Sequence, residues 1–115
     1  MANPVVHFEV MGKDAAKTQT FYSSLFGWNV NADNPWNYGM VDNGGSGING
    51  GIGGGDQAPP HAIFYVEVSD LQSTLDQAAG LGGQVLMPVT EIPGAVTMAI
   101  FADPDGNQIG LVKSA

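Results

Sequence analysis

The feature that most limits how this chain can fold is an internal repeat of roughly 57 residues. His7-Phe8-Glu9-Val10 is echoed by Tyr65-Val66-Glu67-Val68, and Leu25-Phe26-Gly27-Trp28 by Leu81-Gly82-Gly83-Gln84. In the first copy Val6, Phe8 and Val10 alternate with Val5, His7 and Glu9, which predicts a strand with one apolar and one partly polar face. Asp14 then caps a helix over residues 14–26, in which Thr18, Phe21, Tyr22, Leu25 and Phe26 recur at helical spacing. Gly27 suits its stop, and the Phe21, Tyr22, Leu25 stripe is expected in the core. Residues 28–31 and 36–41 read as strands around an Asn34-Pro35 turn, and residues 48–52 as a weak glycine-rich strand after Asn43-Gly44-Gly45. In the second copy His61 opens a strand to Val68, and Asp70 caps a helix whose apolar face is Leu71, Leu75, Ala78, Ala79 and Leu81. Gly82-Gly83 ends that helix. Residues 84–87 form a strand broken by Pro88, residues 95–102 a long strand, Asp103-Pro104-Asp105-Gly106 a turn, and residues 108–112 the last strand.

The order is therefore βαβββ twice: repeat one over residues 3–53, a linker over 54–59, and repeat two over 60–113, all within one domain of residues 1–115. Each helix needs a sheet face to cover its apolar stripe, and Phe8, Val10, Val66 and Val68 supply it. His7, Glu9, Tyr65 and Glu67 then leave the opposite side. A four-stranded sheet with one bare face curls. The expected fold class is α+β, with two curved mixed sheets facing each other around a small-molecule cup. Nine of the 17 glycines lie between Gly39 and Gly55, which fits a strand that a ligand or another backbone approaches closely.

Composition removes several functions. The 11 acidic residues stand against 3 Lys and no Arg, for a net charge of -8. Phosphate neutralisation needs clustered basic residues, so neither nucleic acid nor an anionic membrane is an expected partner. A neutral or cationic small molecule suits such a surface. Cysteine is absent, which excludes disulfides, thiolate nucleophiles and cysteine zinc sites. No run approaches the ~18 apolar residues of a membrane span, and the opening residues lack the basic and apolar regions of a secretory signal. The expectation is a cytoplasmic protein.

The His-x-Glu-Val strand at residues 7–10, Phe21-Tyr22 before Leu25-Phe26-Gly27-Trp28, and the ending Asp103-Pro104-Asp105-Gly106-Asn107 together resemble the vicinal oxygen chelate superfamily. That group includes glyoxalase I, extradiol dioxygenases, fosfomycin-resistance enzymes and bleomycin-binding proteins. The resemblance covers essentially the whole chain. Gly47-Ile48-Asn49-Gly50-Gly51 and Ile92-Pro93-Gly94 further resemble a glyoxalase-like subgroup.

Metal-dependent members of the superfamily hold a divalent ion with one ligand from the first and one from the last strand of each repeat. By that resemblance His7 stands at one ligand position. Its counterpart Tyr65 is a poor ligand, the last-strand position is Gly110, and the first repeat offers only Asn49. The expectation is no cofactor and no metal, with a non-standard divalent site of His7, Glu9 and Glu67 as the other arrangement. His7 and Glu9 leave one strand face about 7 Å apart. The resemblance implies a metal-free protein that binds a small molecule in its cup. The alternative is a lyase, isomerase or dioxygenase in which His7 works with Glu9 or Glu67 as acid and base. Tyr65, Trp36, Tyr38 and Asn49 are the candidate ligand-binding side chains. Exposed strand edges and apolar rims imply a homodimer.

Overall fold

A computed structural model describes residues 2–56 and 58–114; Gln57, in the predicted linker, and the terminal Met1 and Ala115 lie outside the described residues. The element order is β1 (Val5–Gly12), α1 (Ala15–Phe26), β2 (Asn29–Asn31), β3 (Gly39–Asp42), β4 (Asn49–Gly54), β5 (His61–Val68), α2 (Leu71–Gly80), β6 (Gln84–Glu91), β7 (Thr97–Ala102) and β8 (Gln108–Lys113). That is βαβββ twice in an α+β chain. Two compact units divide it: His7–Ile63, and Met1–Val6 with Phe64–Ala115.

Within the first unit the strand order is β2-β3-β4-β1. β1 runs parallel to β4, with Phe8 opposite Gly50 and Glu9 opposite Gly51, while β3 is antiparallel to both β2 and β4. The second unit repeats this plan as β5-β8-β7-β6: β5 is parallel to β8, with Tyr65 opposite Gly110, and the rest is antiparallel. In each copy the first strand thus pairs with the last.

Both helices start where their caps require. The Asp14 carboxylate accepts from the Lys17 amide at 3.2 Å, and that of Asp70 from the Ser73 amide at 2.9 Å. Gly27 ends α1 at φ 70°, a left-handed conformation that suits glycine. The helices then differ. α2 buries Leu71 and Leu75 in a core with Val68, Ala99 and Leu111, against which Val66 and Phe101 pack. Ala79 and Leu81 do not join this core. Leu81 lies past the last helical residue as the cap and is 81% exposed.

The expectation that Phe21, Tyr22 and Leu25 form core is corrected. No residue of α1 is buried, and Phe21 and Leu25 are each 59% exposed. A Cβ on Gly12 would collide with Thr18, and one on Gly54 with the backbone of Ala15. Glycine at these two strand positions therefore lets the first turn of the helix lie close to the strands. Its aromatics stack instead with one another and with Trp28: Tyr22 lies 5.7 Å and Phe26 5.1 Å from that ring. Phe21 and Tyr22 also wall an open hollow of about 540 Å³ with Val10, Met11, Pro60 and Ala62.

Four strand boundaries also change. Residues 36–38 precede β3 rather than forming its start, because Asn34 draws the chain into a turn with Asn37 at φ 51°. β6 continues through Pro88 to Glu91, with two register shifts against β7. It is the last strand in its unit's order, where proline costs no ladder bond on the open side. β7 begins at Thr97, because Ile92 and Val96 are tied across a tight turn by a 2.7 Å backbone bond. β4 runs through Gly54, one residue into the predicted linker. The Asp103–Asn107 segment is a turn, as read from its residues. The Asp103 carboxylate accepts from the Asn107 side chain at 2.8 Å and from the Asn107 and Asp105 amides at 2.9 Å, bonds that hold its carboxyl below the usual range.

Candidate functional site

On β1, Phe8 leans toward Trp28, ring centroids 5.1 Å apart, and its own ring fills the space a Cβ on Gly50 would need. Strand alternation sends His7 and Glu9 to the other face, the face that Gly51 of the neighbouring β4 shares. There the ring of Tyr38 occupies the position of an absent Gly51 side chain. The glycine-rich strand is therefore shaped to admit two rings of its own unit, one on each face.

The Tyr38 hydroxyl joins the two strand residues. It donates to the Glu9 carboxylate at 2.8 Å and lies 2.8 Å from Nε2 of His7. Its ring is stacked on the imidazole with centroids 6.2 Å apart. Tyr38 is fixed from its backbone. Asn34 Oδ1 accepts from the Tyr38 amide at 3.0 Å, and Asn34 Nδ2 donates to the Tyr38 carbonyl at 2.7 Å. Gln19 of α1 donates to the carbonyls of Asn37 at 2.9 Å and Ile52 at 2.8 Å, which ties the turn to both helix and sheet. Tyr38 is among the candidate side chains of the sequence, whereas Asn34 is expected only to form a turn and Gln19 only to lie in a helix. The available signal is a polar Gln19 between Thr18 and Phe21 of the helical stripe.

Burial of the His7 ring holds its pKa below the ordinary value, and this outweighs the upward pull of the Glu9 carboxylate. At neutral pH the imidazole is therefore uncharged.

Trp36, Asn49 and His61 have other surroundings within the first unit. Trp36 is 57% exposed in the turn that carries Tyr38, its amide bonded to Asn34 Oδ1 at 3.1 Å. Asn49 opens β4 and accepts from the Asn43 amide at 2.8 Å, so its carboxamide closes the preceding hairpin. His61, exposed at the start of β5, directs Nδ1 at the Pro59 carbonyl, 2.8 Å away. In the second unit Tyr65 and Glu67 share one face of β5, opposite to Val66 and Val68. Tyr65 is buried, and its ring fills the place of a Gly110 side chain as Tyr38 does at Gly51.

Residues 5–111 match the Glyoxalase/Bleomycin resistance protein/Dioxygenase superfamily. The chain belongs to this superfamily. Among curated relatives, the protein named "Putative glyoxylase CFP32" from Mycobacterium bovis is 33% identical over 112 residues, covering 85% of this chain and 41% of the relative. The same figures hold for its Mycobacterium tuberculosis counterpart. The chain thus spans less than half the length of the curated relatives it matches. Solved structures share the fold. A superfamily member from Vibrio splendidus aligns with a TM-score of 0.66 at 18% identity, over 98% of this chain and 100% of the other. Methylmalonyl-CoA epimerase from Mycobacterium tuberculosis aligns with a TM-score of 0.70 at 16% identity, over 96% and 87%.

Many superfamily members use a metal, and the residues here do not fit one at the usual positions. The first unit offers His7, whose Nε2 is engaged by Tyr38, and Asn49, whose Oδ1 is engaged by Asn43. The second offers Tyr65 and Gly110, and the Tyr65 ring covers the glycine. Neutral carboxamide and phenol oxygens are weak donors for a divalent transition ion. Among the described residues no three His, Asp or Glu side chains gather as a ligand set.

Proposed function

We propose that this protein is a glyoxalase-like member of the superfamily that binds a small neutral or cationic organic molecule, without a divalent metal, against the His7–Tyr38–Glu9 face, and that it works as a cytoplasmic homodimer. The observation that carries the reading is the hydrogen-bonded line of imidazole, phenol and carboxylate on the face that Asn49 and Gly51 of β4 share. Such a line offers a ligand a hydrogen-bonding edge, a pattern of a few fixed polar groups that small-molecule sites use. The net charge of -8 favours a cation over an anion. The exposed apolar side chains of α1 support pairing of two copies. A second reading, an acid–base lyase, isomerase or dioxygenase-type enzyme, is favoured by the same line, because an uncharged histidine linked to a carboxylate can accept a proton near neutral pH.

Ligand-observed NMR of a library of small neutral and cationic organic compounds tests the binding reading. Hits are expected to bind the wild type and to lose at least tenfold in affinity in His7→Ala, with the fold retained. Equal affinity in the variant would remove His7 from the site. Elemental analysis of dialysed protein is expected to find far less than one divalent ion per chain, and a stoichiometric ion would overturn the metal-free part.

A further inference from the structure

We propose that the hollow beside α1 is a second small-molecule site, separate from the His7 face, and that it takes an apolar molecule carrying one carboxylate. The hollow measures about 540 Å³ and lies within the first unit, a size in the range of small-molecule pockets. Strand alternation sends Val10 to the Phe8 side of β1, away from His7 and Glu9. Gly12 has the same parity and faces Thr18 of α1. The hollow therefore opens on the helix side of β1, and neither His7, Glu9 nor Tyr38 lines it.

Charge selects the ligand. No Asp or Glu lines the hollow, although the chain carries 11 acidic residues. The one ammonium in that lining is Lys17, which is also the only charged residue of α1. No acidic residue occurs over residues 15–32. Asp14, just before the helix, directs its carboxylate at the Lys17 amide, 3.2 Å away, as the cap. The hollow is thus a basic spot on an acidic molecule, and an ammonium beside apolar walls pairs with a carboxylate.

The walls fix the rest of the molecule. Phe21 and Tyr22 meet edge to face, with centroids 5.0 Å apart and planes at 87°, so they form an aromatic corner that a flat or branched hydrocarbon can fill. Phe21 is 59% exposed, and a ligand seated against it takes apolar ring surface out of water. Pro60 and His61 complete the lining. His61 is held by Nδ1, 2.8 Å from the Pro59 carbonyl, and the two prolines have fixed φ and no amide proton. That part is preformed and brings no proline N–H to an anion, which leaves Lys17 as the group that the carboxylate meets.

Titration of the 15N-labelled full chain with 3-phenylpropionate, followed by amide shifts, tests the site, with neutral 3-phenylpropionamide and cationic 3-phenylpropylamine as charge controls. The expected result is a saturable shift of the amides of residues 10–12, 17–22 and 61–62, with a dissociation constant of about 1 mM or tighter. Both controls should bind about three- to fivefold more weakly, the size of a solvent-exposed ion pair. Lys17→Gln should bring carboxylate and amide to equal affinity, and Phe21→Ala should weaken both alike. Each of these side chains is exposed, and the amide spectrum checks that the variants fold. His7→Ala, which alters the other face of β1, and Leu25→Glu, which alters the pairing strip, should bind 3-phenylpropionate as the wild type does, so this site stands or falls apart from the function and the homodimer proposed above. No saturable shift, shifts confined to other residues, or a control that binds as tightly as the carboxylate would overturn it. So would a charge preference that survives Lys17→Gln, an affinity unmoved by Phe21→Ala, or one lost in His7→Ala or Leu25→Glu.

Discussion

At the scale of single residues, two opposed effects set the ionisation of His7. Burial lowers the His7 pKa and the Glu9 charge raises it, and burial wins. The sign of the stability consequence follows. Above the ordinary histidine value of ~6.5 the ring is neutral in both the folded and the unfolded chain, and folding pays no penalty. Below it the unfolded chain takes up the proton first, so stability falls as the pH drops from about 6.5 toward the lowered folded value. Urea midpoints of the wild type are expected to decline between pH 7.5 and 5.5, and to decline less in His7→Gln, which lacks the titrating ring. Parallel curves for the two proteins would show that His7 does not couple to folding.

At the scale of elements, two helices with similar caps carry different loads. α2 sends Leu75, 1% exposed, into a closed apolar cluster, whereas α1 lies close over glycine-rich strands with Leu25 59% exposed. Leu75→Ala should therefore cost about 2–5 kcal/mol, the usual range for a buried leucine cavity. Leu25→Ala should change the concentration-independent unfolding free energy by only ~0.5 kcal/mol or less. Chemical denaturation of the two variants measures both, and a cost for Leu25→Ala that matched Leu75→Ala at every protein concentration would mean that α1 is core after all.

At the scale of the whole molecule, the exposed Phe21, Leu25 and Phe26 of α1, at 59%, 59% and 57%, leave an apolar strip that water covers poorly. Sedimentation at micromolar concentration is expected to show a species of twice 11.9 kDa, and a monomer would refute the homodimer. Leu25→Glu should then shift the population toward monomer, because a charge on a covered apolar strip loses its hydration. No helix among the described residues is long and apolar enough to cross a membrane. The curated relatives are more than twice as long as the segment they share with this chain.

The sequence by itself determined the elements and their order. Caps at Asp14 and Asp70, alternation along Phe8–Val10 and Val66–Val68, and the Asp103 turn are local physics, legible because each depends on neighbours within a few residues. Alternation also put His7 and Glu9 on one strand face. Tertiary structure alone decided what those residues meet. Tyr38 reaches them from a turn about thirty positions away, admitted because Gly51 and Gly53 on the intervening strand have no side chains. Nothing in the spacing of His7, Tyr38 and Glu9 announces that contact, which depends on β4 lying beside β1 in one register. The same limit explains the error at α1. Helical periodicity reveals which side chains share a face but not how closely the opposing sheet approaches. Gly12 and Gly54 let the first turn of α1 approach, where a Cβ would meet Thr18 or Ala15, while Phe21 and Leu25 farther along stay exposed.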